Sequence, residues 1–273
     1  MKNNTNIQEG SFLRWAGSKR ALINEIKEYF PNKYSNYFEP FLGSGALFFS
    51  ISDKSNCFIS DSNQKLINTY IQIRDNVDNV IEHLKKYRNE KEFYYFIRNY
   101  ETKSLIEEAS KFIFLNRTCF NGLYRVNKND KFNVPYGKRP NVDFVTEELL
   151  RNVSFSLKSV NIFSCDFEDT ISKIKRNDLV FIDPPYVVSH NDNGFIEYNQ
   201  KIFSWEDQIR LHDYIQSIIK KRAYFILTNA AHLSLKELYS DICIPVEMKR
   251  ISKIGGKNSY RGIVNEFLFT NTF

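Results

Sequence analysis

Leu179-Val-Phe-Ile-Asp-Pro-Pro-Tyr186 is the stretch on which the fold turns. Four continuous apolar residues followed at once by a carboxylate read as a strand buried on both faces that ends abruptly. Two consecutive prolines then remove two N–H donors and leave a stiff turn rich in acceptors. The plain reading is a strand-terminating turn with an aspartate cap. The chemical reading is a carboxylate beside an outward-facing carbonyl, which suits a planar amine with two N–H donors, with Tyr186 offering a face to the ring that bears it.

Outward from this stretch the same pattern recurs. Tyr37-Phe-Glu39 reads as a short strand running into Pro40-Phe-Leu-Gly-Ser-Gly45 and then a helix, and Cys57-Phe-Ile-Ser60 as a strand ending at Asp61. Val160–Ser164 leads to Asp166, and Tyr224-Phe-Ile-Leu227 follows a helix that Ser204 with Asp207 caps and that runs to about Lys220. Short apolar strands separated by helices predict a parallel α/β sheet with helices on both faces. Near the N-terminus, Ser18 reads as an N-cap before Leu22, Ile26, Tyr29 and Phe30 at helical spacing, with Pro31 as the stop. From Ser62 to Phe120 the pattern is helical and includes a capping box, Ser104 with Glu107. Residues 123–134 then read as a β-hairpin around Asn127-Lys-Asn-Asp130. The expected organisation is a sheet domain, residues 1–68 and 159–273, carrying a helical, basic insert, residues 69–158, that ends in the hairpin.

Ligands of open α/β sheets bind beyond the carboxyl ends of the strands. Glycines at 43 and 45 allow close backbone approach there, and a following helix N-terminus would present free N–H groups. The third glycine of the dinucleotide fingerprint is replaced by Phe48 and no Gly-Lys-Ser/Thr follows, which disfavours NAD and a phosphate-binding loop. Asp61 lies 18 residues after Gly43, where such sheets pair a carboxylate with ribose hydroxyls, although a helix N-cap is the competing reading.

The 273 residues carry a formal net charge of +6, concentrated in places. Between 111 and 139 stand Lys111, Arg117, Arg125, Lys128, Lys131, Lys138 and Arg139 against Asp130 alone, interleaved with Phe112, Phe114, Phe120, Tyr124, Phe132 and Tyr136. Cations among aromatics suit phosphates and stacked bases, though a charge cluster can also be no more than a solvated surface. No apolar run approaches the roughly 18 residues of a membrane span, and the first residues hold no apolar signal core, which disfavours secretion. Four scattered cysteines, without a CxxC or Cys/His cluster, predict neither zinc nor disulfides and fit a reducing cytosol. The four histidines form no metal or triad pattern, so no metal is expected.

Asp183-Pro-Pro-Tyr186, Phe38-Glu-Pro-Phe-Leu-Gly-Ser-Gly45 and Phe12-Leu-Arg-Trp-Ala-Gly-Ser-Lys19 together resemble the Dam-type DNA adenine-N6 methyltransferases (the D12 class, alpha group), in that family's order. Asn116–Arg125 and Lys131–Gly137 look like its recognition hairpin, and Lys249–Gly256 with Asn265-Glu-Phe-Leu268 resemble its closing segment, so the likeness spans nearly the whole chain. The resemblance implies a Rossmann-like sheet that uses S-adenosylmethionine. By it, Phe41, Gly43 and Gly45 would border the cofactor with Trp15 and Lys19 nearby, Asp61 would hold the ribose, and Asp166 with Phe167 would contact the cofactor's adenine. For Phe167 alone core packing is the default; Lys19 could equally be solvated and Trp15 a packing anchor. Asp183 and the Pro184 carbonyl would accept the two N6–H bonds of the target adenine beside the cofactor, and Tyr186 would stack on that base, flipped from duplex DNA. Direct in-line transfer would follow.

In the GATC-methylating branch, the counterpart of Arg125 reads a guanine edge and that of Leu123 meets a thymine methyl, with Pro135 on the same surface. Phe120 stands where an aromatic wedge enters the base stack, Asn121 beside it, and Arg14 where a basic residue meets the outer guanine. The expected partner is therefore double-stranded DNA, the target GATC, and the setting the cytoplasm of a prokaryote or phage host, with a cognate restriction endonuclease as an optional companion. Two other readings remain at this point. Similar turns also serve methylation of RNA or of a glutamine amide, and a catalytically silent DNA-binding relative is the reading from outside enzymology.

Overall fold

All four residues of Leu179–Ile182 are buried in one strand of the computed structural model, and the chain leaves that strand at Asp183. The structure describes residues 11–54, 56–139, 141–186, 203–251 and 263–272. Two units emerge: residues 1–20, 43–55 and 63–164 form the first, and residues 21–42, 56–62 and 165–273 the second.

The second unit holds β1 (Tyr37–Glu39), β2 (Cys57–Asp61), β4 (Leu179–Ile182), β5 (Tyr224–Ala230), β6 (Val246–Ile251) and β7 (Ile263–Thr270), in the sheet order β2-β1-β4-β5-β7-β6. The first four run parallel, as their continuous apolar sequences demand. Two strands the sequence reading did not place run the other way: β7 lies antiparallel to β5, and β6 antiparallel to β7. One sheet face, with Phe38, Val180, Ile182, Phe225, Leu227 and Phe269, packs against Leu211, Tyr214, Ile215 and Ile218 of α6 (Trp205–Lys220). Residues of the opposite face, Tyr37, Leu179, Phe181 and Ile226, are equally buried. The capping box that starts α6 is complete: Ser204 Oγ accepts from Asp207 N, and Asp207 accepts from Ser204 N.

Two helices are shorter than their sequences suggest. The segment before Pro31 forms one turn of 3-10 helix and then α1 (Ile23–Lys27), whose cap position is Leu22; Ser18 instead accepts a hydrogen bond from Ser44. After Gly45 there is only a 3-10 turn, Phe48–Ser50, before Ile51 becomes extended. The N–H groups near the glycines therefore come from turns rather than from an α-helix N-terminus.

In the first unit α2 (Gln64–Lys85) buries Leu66, Ile67, Tyr70, Ile73, Val80, Ile81 and Leu84, a stripe at three- and four-residue spacing that packs on α4 (Leu105–Thr118) and α5 (Glu147–Leu157). Between α2 and α4 lies α3 (Lys91–Asn99), and β3 (Asn161–Ser164) follows α5 and packs on α2. Ser104 caps α4 through Glu107 N, but Glu107 Oε2 accepts from Lys103 N, one residue earlier than the capping box expected. The hairpin is a single bridge, Val126 to Phe132, rather than two strands. Its turn is closed by Asn127, whose side chain accepts from Asn129 N and Lys131 N and so substitutes for further ladder bonds.

On α6, His212 lies between two carboxylates: Nε2 is 3.0 Å from Asp241 Oδ1 and Nδ1 is 3.2 Å from Asp213 Oδ1. Burial opposes the charged imidazole, but the hydrogen bonds and charges of Asp241 and Asp213 outweigh it and hold its pKa above 6.5. A raised folded-state pKa contributes stability that is full below the unfolded value near 6.5 and is lost as pH rises through the folded value. His212→Gln is accordingly expected to lower Tm by about 1–3 °C at pH 6 and to leave it unchanged at pH 9, as thermal scans at the two pH values would record.

Candidate functional site

Doubly wound sheets bind ligands where the strand order turns back, because adjacent strands there send their connections to opposite faces and leave a crevice at their carboxyl ends. In the second unit this place is between β1 and β4: the chain moves outward from β1 to β2, then resumes on the other side with β4 and β5. Parallel pairing puts the ends at Glu39, Asp61 and Ile182 on one sheet edge. Phe41, Phe167 and Phe203 form the aromatic wall of a cleft there, completed by Pro40, Ser62, Asp166 and Asp207. Phe41 and Phe167 stack at 5.3 Å and 29°, and the Phe203 ring stands edge-on to Phe41 at 5.7 Å. Asp61 closes β2 immediately before Ser62.

Asp166 is the cap of the 3-10 helix Phe167–Ser172, in a capping box with Asp169. Its Oδ1 accepts from Glu168 N and from Arg210 Nη2 at 2.8 Å. Arg210 also donates to Glu168 and Asp207 and lies 5.0 Å over the Phe167 ring. Its guanidinium pKa is pushed further up, first by the hydrogen bond to Glu168 and then by Asp207 and Asp166. Phe167 itself is 4% exposed, so most of the ring is core, as the residue taken alone suggests, and part of it faces the cleft. Aromatic walls suit a flat heterocycle, and carboxylates held by a neighbouring cation suit an exocyclic amine. The residues present thus fit the adenosine end of a nucleoside cofactor.

The four-residue turn follows β4 at the same edge. Asp183 is half-buried, Pro184 buried and Tyr186 half-buried. Thr228 Oγ1 donates to Asp183 Oδ1 at 2.8 Å, and Tyr186 Oη donates to Glu266 Oε2 at 2.8 Å.

The remaining site residues lie in the first unit. Gly43 has φ +48, and a Cβ there would come within 2.7 Å of the Trp15 indole, so only glycine lets that ring lie on the turn. Tyr70, fully buried on α2, donates to the Gly43 carbonyl at 3.1 Å, and Trp15 stacks on Tyr124 at 5.4 Å. Gly45 is buried in the same turn with φ +63. Lys19 is only 2% exposed, with Nζ donating to the Gly17 carbonyl, which removes its solvated reading.

The residues expected to read DNA gather around the turn after α4. Phe120 is 50% exposed, Asn121 and Gly122 both have left-handed backbones (φ +55 and +65), and Phe120 N is bonded to Pro135 O. Asn116, buried at the end of α4, clamps Arg14 from both sides: Arg14 N donates to its Oδ1 and its Nδ2 donates to Arg14 O, each at 2.8 Å. Arg125 and Pro135 are exposed and Leu123 half-buried. Arg125 Nε donates to Asn133 Oδ1 at 2.7 Å, which sets the plane of its guanidinium. Burial lowers the pKa of Arg14, and the nearby Arg139 and Arg117 guanidiniums lower it further; Arg117 is lowered by burial and then by Arg139 and Arg20, against Asp143. Like charges kept this close suit a polyanion. A Cβ on Gly122 would stand 2.5 Å from Arg14 Cδ. Gly122→Ala therefore displaces Arg14, and DNA affinity is expected to fall about tenfold, the worth of one good arginine contact, while the strain of alanine at a positive φ lowers Tm by a few degrees; filter binding and a thermal scan measure the two.

Several members of these sites had no site role in the sequence, although Asn116 and Glu266 stand in stretches that resemble the family's: Ser62, Phe203 and Asp207 in the cleft, Arg210 behind it, Thr228 and Glu266 beside the turn, and Asn116 behind Arg14. Of their signals only the Ser204–Asp207 capping box was local. The expected likeness at 249–256 falls largely outside the described residues. Among the described residues, no group of three His, Cys, Asp or Glu could hold a metal ion, and no helix is long and apolar enough to cross a membrane.

Comparison with known proteins gives three kinds of relative. Residues 15–254 match the family described as D12 class N6 adenine-specific DNA methyltransferase. A type II methyltransferase of Lactococcus lactis subsp. cremoris is 37% identical, over 99% of this chain and 97% of that protein. One of Methanocaldococcus jannaschii is 36% identical, over 95% of this chain and 98% of that protein. A DNA adenine methylase of Haemophilus influenzae is 33% identical, over 86% and 84%.

Proposed function

The chain belongs to the D12 class N6 adenine-specific DNA methyltransferases, and from that membership we propose that it uses S-adenosylmethionine and methylates an adenine flipped out of duplex DNA within GATC. The observation that carries the proposal is the acceptor-rich turn Asp183–Tyr186 at the carboxyl end of β4, on the same sheet edge as an aromatic, carboxylate-lined cleft.

In this reading Phe41, Phe167 and Asp166 hold the cofactor's adenine, Asp61 its ribose, and Asp183 borders the same nucleoside. The family's other assignments, Trp15, Lys19, Gly43 and Gly45 in the first unit, stand as part of the proposal. When bound, the cofactor supplies an electrophilic methyl on a sulfonium sulfur. The amino group of adenine is a poor nucleophile because its lone pair is delocalised into the ring. Asp183 and the Pro184 carbonyl each accept one N6–H bond, which draws the nitrogen toward tetrahedral geometry and frees that lone pair. Tyr186 stacks on the base and holds it in line, where placement within about 3–3.5 Å supplies most of the rate. No strong general base is required, because the methylated, cationic amine loses its proton readily.

Phe120 on its left-handed turn acts as the wedge, with Asn121 beside it, and Arg14, Leu123, Arg125 and Pro135 present the reading surface. The type II names of two relatives support a companion endonuclease with the same target, and four cysteines without a CxxC or Cys/His cluster fit a reducing cytosol. Offering duplex DNA, ribosomal RNA and protein together with methyl-labelled S-adenosylmethionine tests the reading. Label is expected in duplexes that contain GATC, whereas label in RNA or in a glutamine side chain, or none anywhere, would overturn it.

A further inference from the structure

Consecutive prolines fix the backbone of the Asp183–Tyr186 turn, since each holds φ near −65°. At each end of the turn the side chain meets a buried polar group from a neighbouring strand. Thr228 on β5 and Glu266 on β7 are both 0% exposed. Parallel register pairs Ile182 with Leu227, so Thr228 is the residue beside Asp183. Antiparallel register pairs Ala230 with Glu266 and Thr228 with Leu268, so Glu266 shares the sheet face of Thr228, closer to the carboxyl end of β5. The Thr228 hydroxyl reaches Asp183 Oδ1 and the Tyr186 hydroxyl reaches Glu266 Oε2, both at 2.8 Å.

A carboxylate at a fully buried strand position is costly compared with an apolar side chain, and its neighbours Phe267, Leu268 and Phe269 are apolar. Packing alone gives no reason for Glu266; its bond to Tyr186 does. We propose that Thr228 and Glu266 are positioning residues of the methyl-transfer site: Thr228 sets the rotation of the Asp183 carboxylate, and Glu266 sets the plane of the Tyr186 ring. The inference rests on the reading that Asp183 receives the adenine amine and Tyr186 stacks on the base. An O–H donated to a carboxylate also enriches the ring's π face, which favours the positive charge that N6 acquires as it takes the methyl.

Thr228→Val keeps the shape and removes the donor. It is expected to lower kcat about 10- to 100-fold, with KM for DNA and Kd for S-adenosylmethionine within about twofold of wild type. Thr228→Ser restores the donor and is expected to recover kcat to within about threefold. Tyr186→Phe and Glu266→Leu each lower kcat about tenfold, and the double variant is no worse than either single, because both break one bond. Should Glu266→Leu fail to fold, Tyr186→Phe against Glu266→Gln, which keeps an acceptor and stays within about threefold of wild type, decides the same point. Wild-type kcat in Thr228→Val or Tyr186→Phe overturns the proposal, as do losses that simply multiply in the double variant. Failure of the underlying reading looks different: Asp183→Ala and Tyr186→Ala would then turn over normally, whereas their inactivity beside a fully active Thr228→Val and Tyr186→Phe sinks the positioning roles alone.

Discussion

Asp183→Ala is expected to lower kcat by about 10³-fold while binding of S-adenosylmethionine stays measurable. The size follows from what the alanine removes. On the proposed reading one of two acceptors for the amine is lost, and with it the pull that localises the lone pair on nitrogen; loss of a single preorganised hydrogen-bonding group at a reacting atom already costs roughly 10²–10³. The prolines that follow would still hold the turn, and the Thr228 hydroxyl would lose its 2.8 Å partner without moving the strand that carries it. The cleft of Phe41, Phe167, Phe203 and Asp166 is built from other residues, so the proposed cofactor site is expected to keep its shape. Single-turnover kinetics on a GATC duplex, beside a calorimetric titration of the cofactor, separate the two effects. Equal losses in both would mean that Asp183 serves binding rather than transfer.

The second large effect is on sequence choice. Arg125→Ala is expected to cost about 1–3 kcal/mol of discrimination at one guanine, roughly 5- to 150-fold in the ratio of kcat/KM for GATC over a duplex with that guanine replaced. Arg125 is exposed, and its Nε donates to Asn133 Oδ1, which orients the guanidinium instead of neutralising it. A side chain placed this way contributes little to folding, so Tm should not move. Methylation rates on duplexes that differ at one base pair, with a thermal scan of the variant, measure both consequences. A uniform loss across all duplexes would assign Arg125 to the phosphate backbone.

The strands at the site were legible because buried parallel strands are written as unbroken apolar runs. Leu179–Ile182, Tyr37–Glu39 and Cys57–Asp61 stand within a residue of where their sequences put them. The cap of α6 was legible for another local reason, since Ser204 and Asp207 satisfy each other's N–H groups within four residues. The antiparallel side was not. In β6 the charges Glu247, Lys249 and Arg250 interrupt any apolar run, and in β7 the acid at 266 is fully buried, the opposite of what an exposed-charge pattern would place there. Glu266 makes sense only once β7 lies beside β5 and Tyr186 reaches across, a fact of register that sequence spacing does not carry. Phe203 and Asn116 were hidden for the same reason: each meets its partner through tertiary placement, 162 and 102 positions away along the chain. The helix expected after Gly45 failed locally, because Ile51 turns extended after a single 3-10 turn.

DNA incubated with the purified protein and S-adenosylmethionine can be sequenced molecule by molecule, so that the modified base and its neighbours are identified together. N6-methyladenine is expected at the adenines of GATC on both strands, and is expected to be absent when Asp183→Ala replaces the protein. A methylated cytosine, modification without regard to sequence, or unmodified DNA beside an intact cofactor-binding protein would contradict it.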